Sequence, residues 1–246
     1  MLKRLYDTSK IWFALAWILA YCVLMSVGDA LSDTVGIPKL FSVAVGLVLS
    51  AALLGFLKKY DLFKSYGLCR AEAPARDMLY YVPLLVLLTA NFWNGVTFNE
   101  SVSATVLYIL SMLCVGFLEE VIFRGLLFEA MRENSPRAAV VVSSVTFGMG
   151  HIINLVNGSG AELLPNLLQV IYATAAGFLF VMIYCRTKSL VVCIVTHGLF
   201  NALSVFGADA QTVTGEVLSC VGLTLISGLY ALYLAVTAKK EKRIHQ

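Results

Sequence analysis

Three short patterns in this 246-residue sequence set an ionisable side chain one helical turn from a charged, aromatic or amide partner. In "EEVIFR", Glu119 and Glu120 precede Arg124; "FGMGH" ends Phe147 to His151; "HGLFN" runs from His197 to Asn201. Successive helical residues are rotated by about 100°, so Glu119 and Glu120 point in different directions, whereas Glu120 and Arg124 share a face as i, i+4 neighbours. Glu120 is therefore expected to pair with Arg124, which holds it ionised and fixes the helix rotation. Glu119 is left unpaired and available for chemistry. A carboxylate facing an imidazole can hold a water molecule, the carboxylate acting as general base and the imidazole polarising the water or shuttling its proton. Amide hydrolysis by such a water passes through an oxyanion, which an imidazole N–H and an amide N–H₂ can stabilise. His197 and Asn201, on one helix face, supply that pair. Phe147 stacks one turn from His151, and Asn154, at i+3, can orient the His151 imidazole or add polarity to its face.

The elements that must carry these groups are apolar. The sequence is 59% hydrophobic and 13% charged, with a mean hydropathy of +0.84, outside the balance of soluble domains. A spanning helix needs about 20 mostly apolar residues. That criterion predicts eight spans, near 11–28, 37–57, 78–95, 103–128, 138–156, 162–185, 189–207 and 216–238. The fold class expected is all-α, a polytopic membrane bundle of eight transmembrane helices, in one integral-membrane domain over 1–246 with its motif core at 103–207. Charges inside a bilayer are costly and mark functional sites, so Glu119, Glu120, Arg124, His151 and His197 require an explanation. The third histidine, His245, falls in the polar tail.

Basic residues favour short cytoplasmic loops. On the eight-span reading 17 of the 18 Lys and Arg residues fall on one side, with Lys39 alone on the other. Both termini are then cytoplasmic, and the apolar run after the basic N-terminus reads as a retained first helix, since no small-residue cleavage site follows it. At ~1.5 Å per residue, Glu119, His151 and His197 lie ~14, ~16 and ~12 Å from the cytoplasmic surface. They share one plane, as a single site requires. A water-filled cavity opening towards the cytoplasm and lined by spans four, five and seven is expected to hold them, with substrate entering from the cytoplasmic leaflet. The six cysteines fall mostly within or at the ends of apolar spans and form no CxxC pair, so they read as packing residues. The net charge of +3 reflects membrane topology and offers nothing to nucleic acid.

The three patterns resemble the EExxxR, FxxxH and HxxxN signatures of the CAAX protease and bacteriocin-processing (CPBP) family, relatives of the Ras-converting CAAX prenyl endopeptidases. The motifs cover Ser111 to Gly207, and the eight predicted spans match the eight membrane helices of that family. The resemblance implies an intramembrane glutamate-dependent endopeptidase. In it Glu119 and His151 activate water, His197 and Asn201 form the oxyanion site, and Glu120 and Arg124 support them. It further implies a membrane-associated peptide or lipidated protein tail as substrate, of CAAX, peptide-processing or bacteriocin self-immunity type, in a bacterial plasma membrane. No cofactor is expected, membrane lipid is the surrounding partner, and oligomeric state is left open.

Other chemistries use the same residue types. Glu119, His151 and His197 could ligate Zn²⁺ with an open position for water, although HExxH is absent. Cys193, i−4 to His197, could form a thiol dyad. Intramembrane Glu, His and Arg also build transport sites, and a non-catalytic immunity protein could sequester a peptide without cleaving it.

Overall fold

A computed structural model of the chain describes residues 2–157 and 160–244; His245 lies outside them. The chain forms α1 (Leu2–Thr8), α2 (Lys10–Val35), α3 (Leu40–Lys59), α4 (Ala75–Met78), α5 (Tyr81–Thr89), α6 (Val102–Glu119), α7 (Phe128–Arg132), α8 (Pro136–Gly150), α9 (Leu163–Thr187), α10 (Val191–Leu203) and α11 (Val213–Ile244). A π-helical stretch, Glu120–Leu127, joins α6 to α7, and 3₁₀ turns extend α5, α8 and α10.

Serine caps start several of these helices. The side chains of Ser9, Ser101 and Ser135 accept the backbone N–H of Trp12, Ala104 and Ala138, each satisfying a donor that the first turn leaves open. Pro136 follows Ser135 at the start of α8, where its missing N–H costs nothing. At the other end of α2, Gly36 adopts the left-handed conformation (φ 74°) that closes the helix.

Among the described residues six helices are long and apolar enough to cross a membrane: Lys10–Val35, Leu40–Lys59, Val102–Arg132, Pro136–Leu155, Leu163–Thr187 and Val213–Ala238. Of the eight spans expected, six reach that length. The predicted spans at 78–95 and 189–207 form shorter apolar helices, Tyr81–Phe92 and Val191–Phe206, of 10–17 residues. At 1.5 Å per residue such helices rise roughly 15–26 Å, less than the ~30 Å hydrocarbon core. The first is shortened where Leu79 turns to positive φ (48°). The second ends at Gly207, where a Cβ would collide with the Asn91 carbonyl oxygen.

Apolar residues face outward as well as inward. Leu19, Val48, Leu85, Leu218 and Leu229 are all more than half exposed, as befits helices solvated by lipid rather than water. Inside, small residues let helices cross closely, the packing mode favoured where lipid removes the hydrophobic drive. A Cβ placed on Gly116 of α6 would lie 2.5 Å from the Cα and N of Gly198 in α10. One on Gly148 of α8 would lie 2.8 Å from the Val170 carbonyl oxygen of α9.

The basic-loop end of the bundle is filled by a core that includes Phe13, Trp17, Leu53, Leu57, Leu118 and Ile122. The long connection after α3 is partly buried. Its backbone oxygens at Gly67 and Cys69 accept from Leu190 N (2.8 Å) and Ser189 Oγ (2.6 Å), and Glu72 N donates to Thr187 O (2.8 Å). These bonds pin the turn that precedes α10.

Candidate active site

The site assembles where α6 passes into the π-helical stretch. Glu119 is the last residue of α6 and Glu120 the first of the widened turn. Single π-helical turns recur at functional sites because they re-aim side chains and loosen the regular backbone ladder. Here the Phe123 carbonyl, inside that turn, accepts the Ser143 hydroxyl at 2.8 Å, which anchors α8 against it.

His197 of α10 lies between the two glutamates. Its Nδ1 is 2.8 Å from Glu120 Oε1 and its Nε2 is 3.5 Å from Glu119 Oε2. The shorter contact is a hydrogen bond in which Nδ1–H donates to the carboxylate. It fixes the ring and turns Nε2 towards Glu119. Glu120 Oε1 also lies 3.1 Å from Arg124 Nη1, with both side chains fully buried. The expected Glu120–Arg124 pair is present, but Glu120 divides itself between Arg124 and His197. Arg124 gains further compensation from aromatic faces, its guanidinium carbon sitting 3.9 Å from the Phe147 ring centroid and 5.7 Å from that of Phe180.

Glu119 is not unpaired, which corrects the reading from helical rotation. Besides the His197 contact, its Oε1 accepts the Tyr21 hydroxyl at 2.6 Å. Tyr21 belongs to α2, 98 positions away, and sequence reasoning missed it: a tyrosine in an apolar span reads as core, and no local pattern links it to Glu119. Intrahelical spacing is blind to partners contributed by other helices.

Phe147 is a hub. Its ring meets His151 edge-on (centroids 5.4 Å, 82°), His197 edge-on (5.6 Å, 87°) and Phe123 edge-on (5.5 Å, 77°). His151 begins the 3₁₀ turn after α8. Its Nδ1 is 3.2 Å from the Phe147 carbonyl, so donation there leaves Nε2 as the free ring nitrogen. Asn166, another residue the sequence did not single out, holds this turn by donating from Nδ2 to the His151 carbonyl at 2.9 Å. Asn154 reaches Gln169 Oε1 at 3.4 Å.

A cavity of about 290 Å³ is lined by Glu119, His151 and Asn201 together with Tyr21, Phe147 and Asn154. His197 stands behind it and lines a smaller apolar pocket of about 60 Å³ with Phe147, His151 and Asn201. The sequence leads one to expect a cavity opening towards the basic loops, whereas most of its lining lies on the other side of Glu119. Its walls run from Glu119 towards the opposite end, where Lys39 Nζ pairs with Asp29 Oδ1 at 2.8 Å.

Two rival chemistries find little support in this geometry. Among the described residues no three His, Cys, Asp or Glu side chains are grouped as a metal ion would require, so Glu119, His151 and His197 do not form a ready zinc triad. Cys193 is fully buried, and its thiol lies 3.6 Å from the Phe180 carbonyl, to which it donates; it does not line the cavity. All six cysteines are unpaired.

Residues 101–203 match the family model described as type II CAAX prenyl endopeptidase Rce1-like. That segment contains all three patterns and excludes Tyr21. Among curated proteins nothing matches the chain.

Proposed function

Taking the assignment of this membrane protein to the CPBP, or CAAX protease, family as premise, we propose that it is an intramembrane endopeptidase in which Glu119 is the general base. The observation that carries the reading is that Glu119, His151 and Asn201, from three separate helical segments, line one cavity, with His197 Nε2 3.5 Å from Glu119.

A water held between Glu119 and His151 gives a proton to Glu119 as its oxygen bonds to the scissile carbonyl carbon. The carbonyl oxygen becomes an oxyanion, to which the Asn201 amide N–H₂ donates; with its Nδ1–H given to Glu120, His197 offers an Nε2–H donor there only in its imidazolium form. Collapse breaks the C–N bond, and Glu119 returns its proton to the leaving nitrogen. The products are a new carboxyl terminus and a new amine. Tyr21 holds one oxygen of Glu119 and directs the other into the site, while Glu120 sets the His197 ring and Arg124 balances Glu120. No metal enters this scheme. The substrate is a peptide or protein segment at the membrane, and peptide maturation or self-immunity is its physiological use. The chain sits in a bacterial plasma membrane, and the preference of Lys and Arg for cytoplasmic loops supports cytoplasmic termini.

The test is cleavage by purified protein in detergent or proteoliposomes, read by mass spectrometry of a membrane peptidome with and without the active chain. Glu119→Gln should remove every new cleavage product while the protein still purifies folded. Products that persist in the Glu119→Gln sample would refute the base assignment.

A further inference from the structure

We propose that the active site is reached from the non-cytoplasmic face, so that its substrate is a peptide segment already presented on that side of the membrane rather than a tail lipidated at the cytoplasmic leaflet. The cleavage in this statement rests on the proteolytic reading above; the direction of access does not.

Every basic connection lies at one end of the bundle. Lys58 and Lys59 end α3, Arg132 ends α7, Arg137 starts α8, and Arg186 and Lys188 close α9. By the preference of Lys and Arg for cytoplasmic loops, that end is cytoplasmic. The opposite end holds Lys39, and its charge is engaged by Asp29.

The cavity runs towards the Lys39 end along every wall. On α2 its lining passes from Tyr21 through Met25 to Asp29, away from Lys10. On the α8 side it passes from Phe147 through His151 to Asn157, away from Arg137. On α6 it passes from Glu119 back to Ser111. A second, larger cavity of about 700 Å³ meets it at Met112 and Asn201 and lies among residues of the connections at that same end, including Asn94, Gly160 and Asp209.

Towards the basic loops the way is closed. Glu120 to Leu127 are all buried, and Phe13, Leu53, Leu57 and Leu118 pack beneath them at 0–1% exposure. Such a core at interior packing density admits no peptide. Among the described residues, the cavity that Glu119 lines therefore extends away from the cytoplasm.

Native cysteines report on both faces. Cys22 lines the cavity, whereas Cys69 lies in the connection after α3, its thiol against Lys188. Intact bacterial cells expressing the full chain, wild type or Ser26→Cys, are treated with a permanently charged thiosulfonate that does not cross membranes, and adducts are mapped by mass spectrometry. Ser26 also lines the cavity and provides a second reporter should Cys22 react slowly. The expected result is modification of Cys22 and Ser26→Cys in intact cells, with Cys69 modified only after lysis and the order reversed in inverted vesicles. Modification of Cys69 in intact cells, with both cavity thiols protected until lysis, would overturn the inference. A membrane-exposed peptide added outside is cleaved by cells carrying wild-type protein and spared by Glu119→Gln. Cavity thiols labelled from outside, with no cleavage by wild type even in lysed membranes, uphold the access route and refute the protease. Cleavage in lysed membranes with the cavity thiols shielded from outside does the reverse.

Discussion

The Tyr21 hydroxyl donates to Glu119 Oε1 across 2.6 Å, tying the first long helix to the carboxylate at the end of α6. The bond occupies one carboxylate oxygen and leaves Oε2 towards His197. Tyr21→Phe removes the donor and keeps the ring. A hydrogen bond to a charged group contributes about 1.5–3 kcal/mol, so kcat should fall roughly 10- to 100-fold with KM little changed. Steady-state kinetics on the purified variant check this; an unaltered kcat would leave Tyr21 a packing residue.

Replacing the proposed base should have the larger effect. General-base catalysis contributes about 10²–10⁴-fold, and Glu119→Gln should lose at least that in kcat at unchanged thermal stability. Asn201→Ala should lose about 10²–10³-fold, the usual contribution of one oxyanion donor. Single-turnover cleavage separates both from substrate binding.

Glu120 and Arg124 should act through stability. Removing one partner of a fully buried ion pair leaves an uncompensated charge and costs about 3–5 kcal/mol. Glu120→Gln and Arg124→Ala are therefore expected to unfold at lower temperature in detergent and to keep part of their activity, Glu120→Gln losing more because His197 loses its Nδ1 partner. The double variant Glu120→Gln with Arg124→Met should be more stable than either single change, since both charges are gone. Thermal unfolding of the three proteins tests this order.

The α6–α10 crossing should tolerate no added methyl. Gly116→Ala puts a Cβ 2.5 Å from the Gly198 backbone, and separating the two helices would pull Glu119 from His197. Loss of activity and of melting temperature is expected. Gly55→Ala in α3, where a Cβ meets nothing within 4 Å, should leave both unchanged, and a matching loss there would show that the α6–α10 crossing is not special.

Metal removal should change nothing. The proposed base and donors act without a metal ion, so dialysis against a strong chelator should leave the cleavage rate intact, and elemental analysis of active protein should find no stoichiometric zinc. A rate that collapses and returns with added Zn²⁺ would transfer the water-activating role to the ion.

Much of the site could be read before any coordinates. Glu119 and His151 stand out because ionisable groups in apolar helices are too costly to be incidental, and Asn201 because it lies one turn from His197; these three line one cavity, while His197, expected to share it, stands behind. The Glu120–Arg124 contact followed from i, i+4 spacing, a local relation that a helix imposes wherever it packs. Span length was less legible. Hydropathy registers the apolar content of 78–95 and 189–207 but not where the helix axis stops, which Leu79 and the Gly207–Asn91 contact decide.

By itself, then, the sequence determined the class of the protein and which polar groups its apolar helices carry. Composition, loop charge and one-turn spacings depend only on neighbours along the chain. The third dimension decided which groups meet. It alone brought Tyr21 to Glu119, set His197 between two carboxylates, and gathered Glu119, His151 and Asn201 on one cavity. Each of these depends on how helices distant in sequence are rotated and how closely they approach, and no spacing within one helix encodes that.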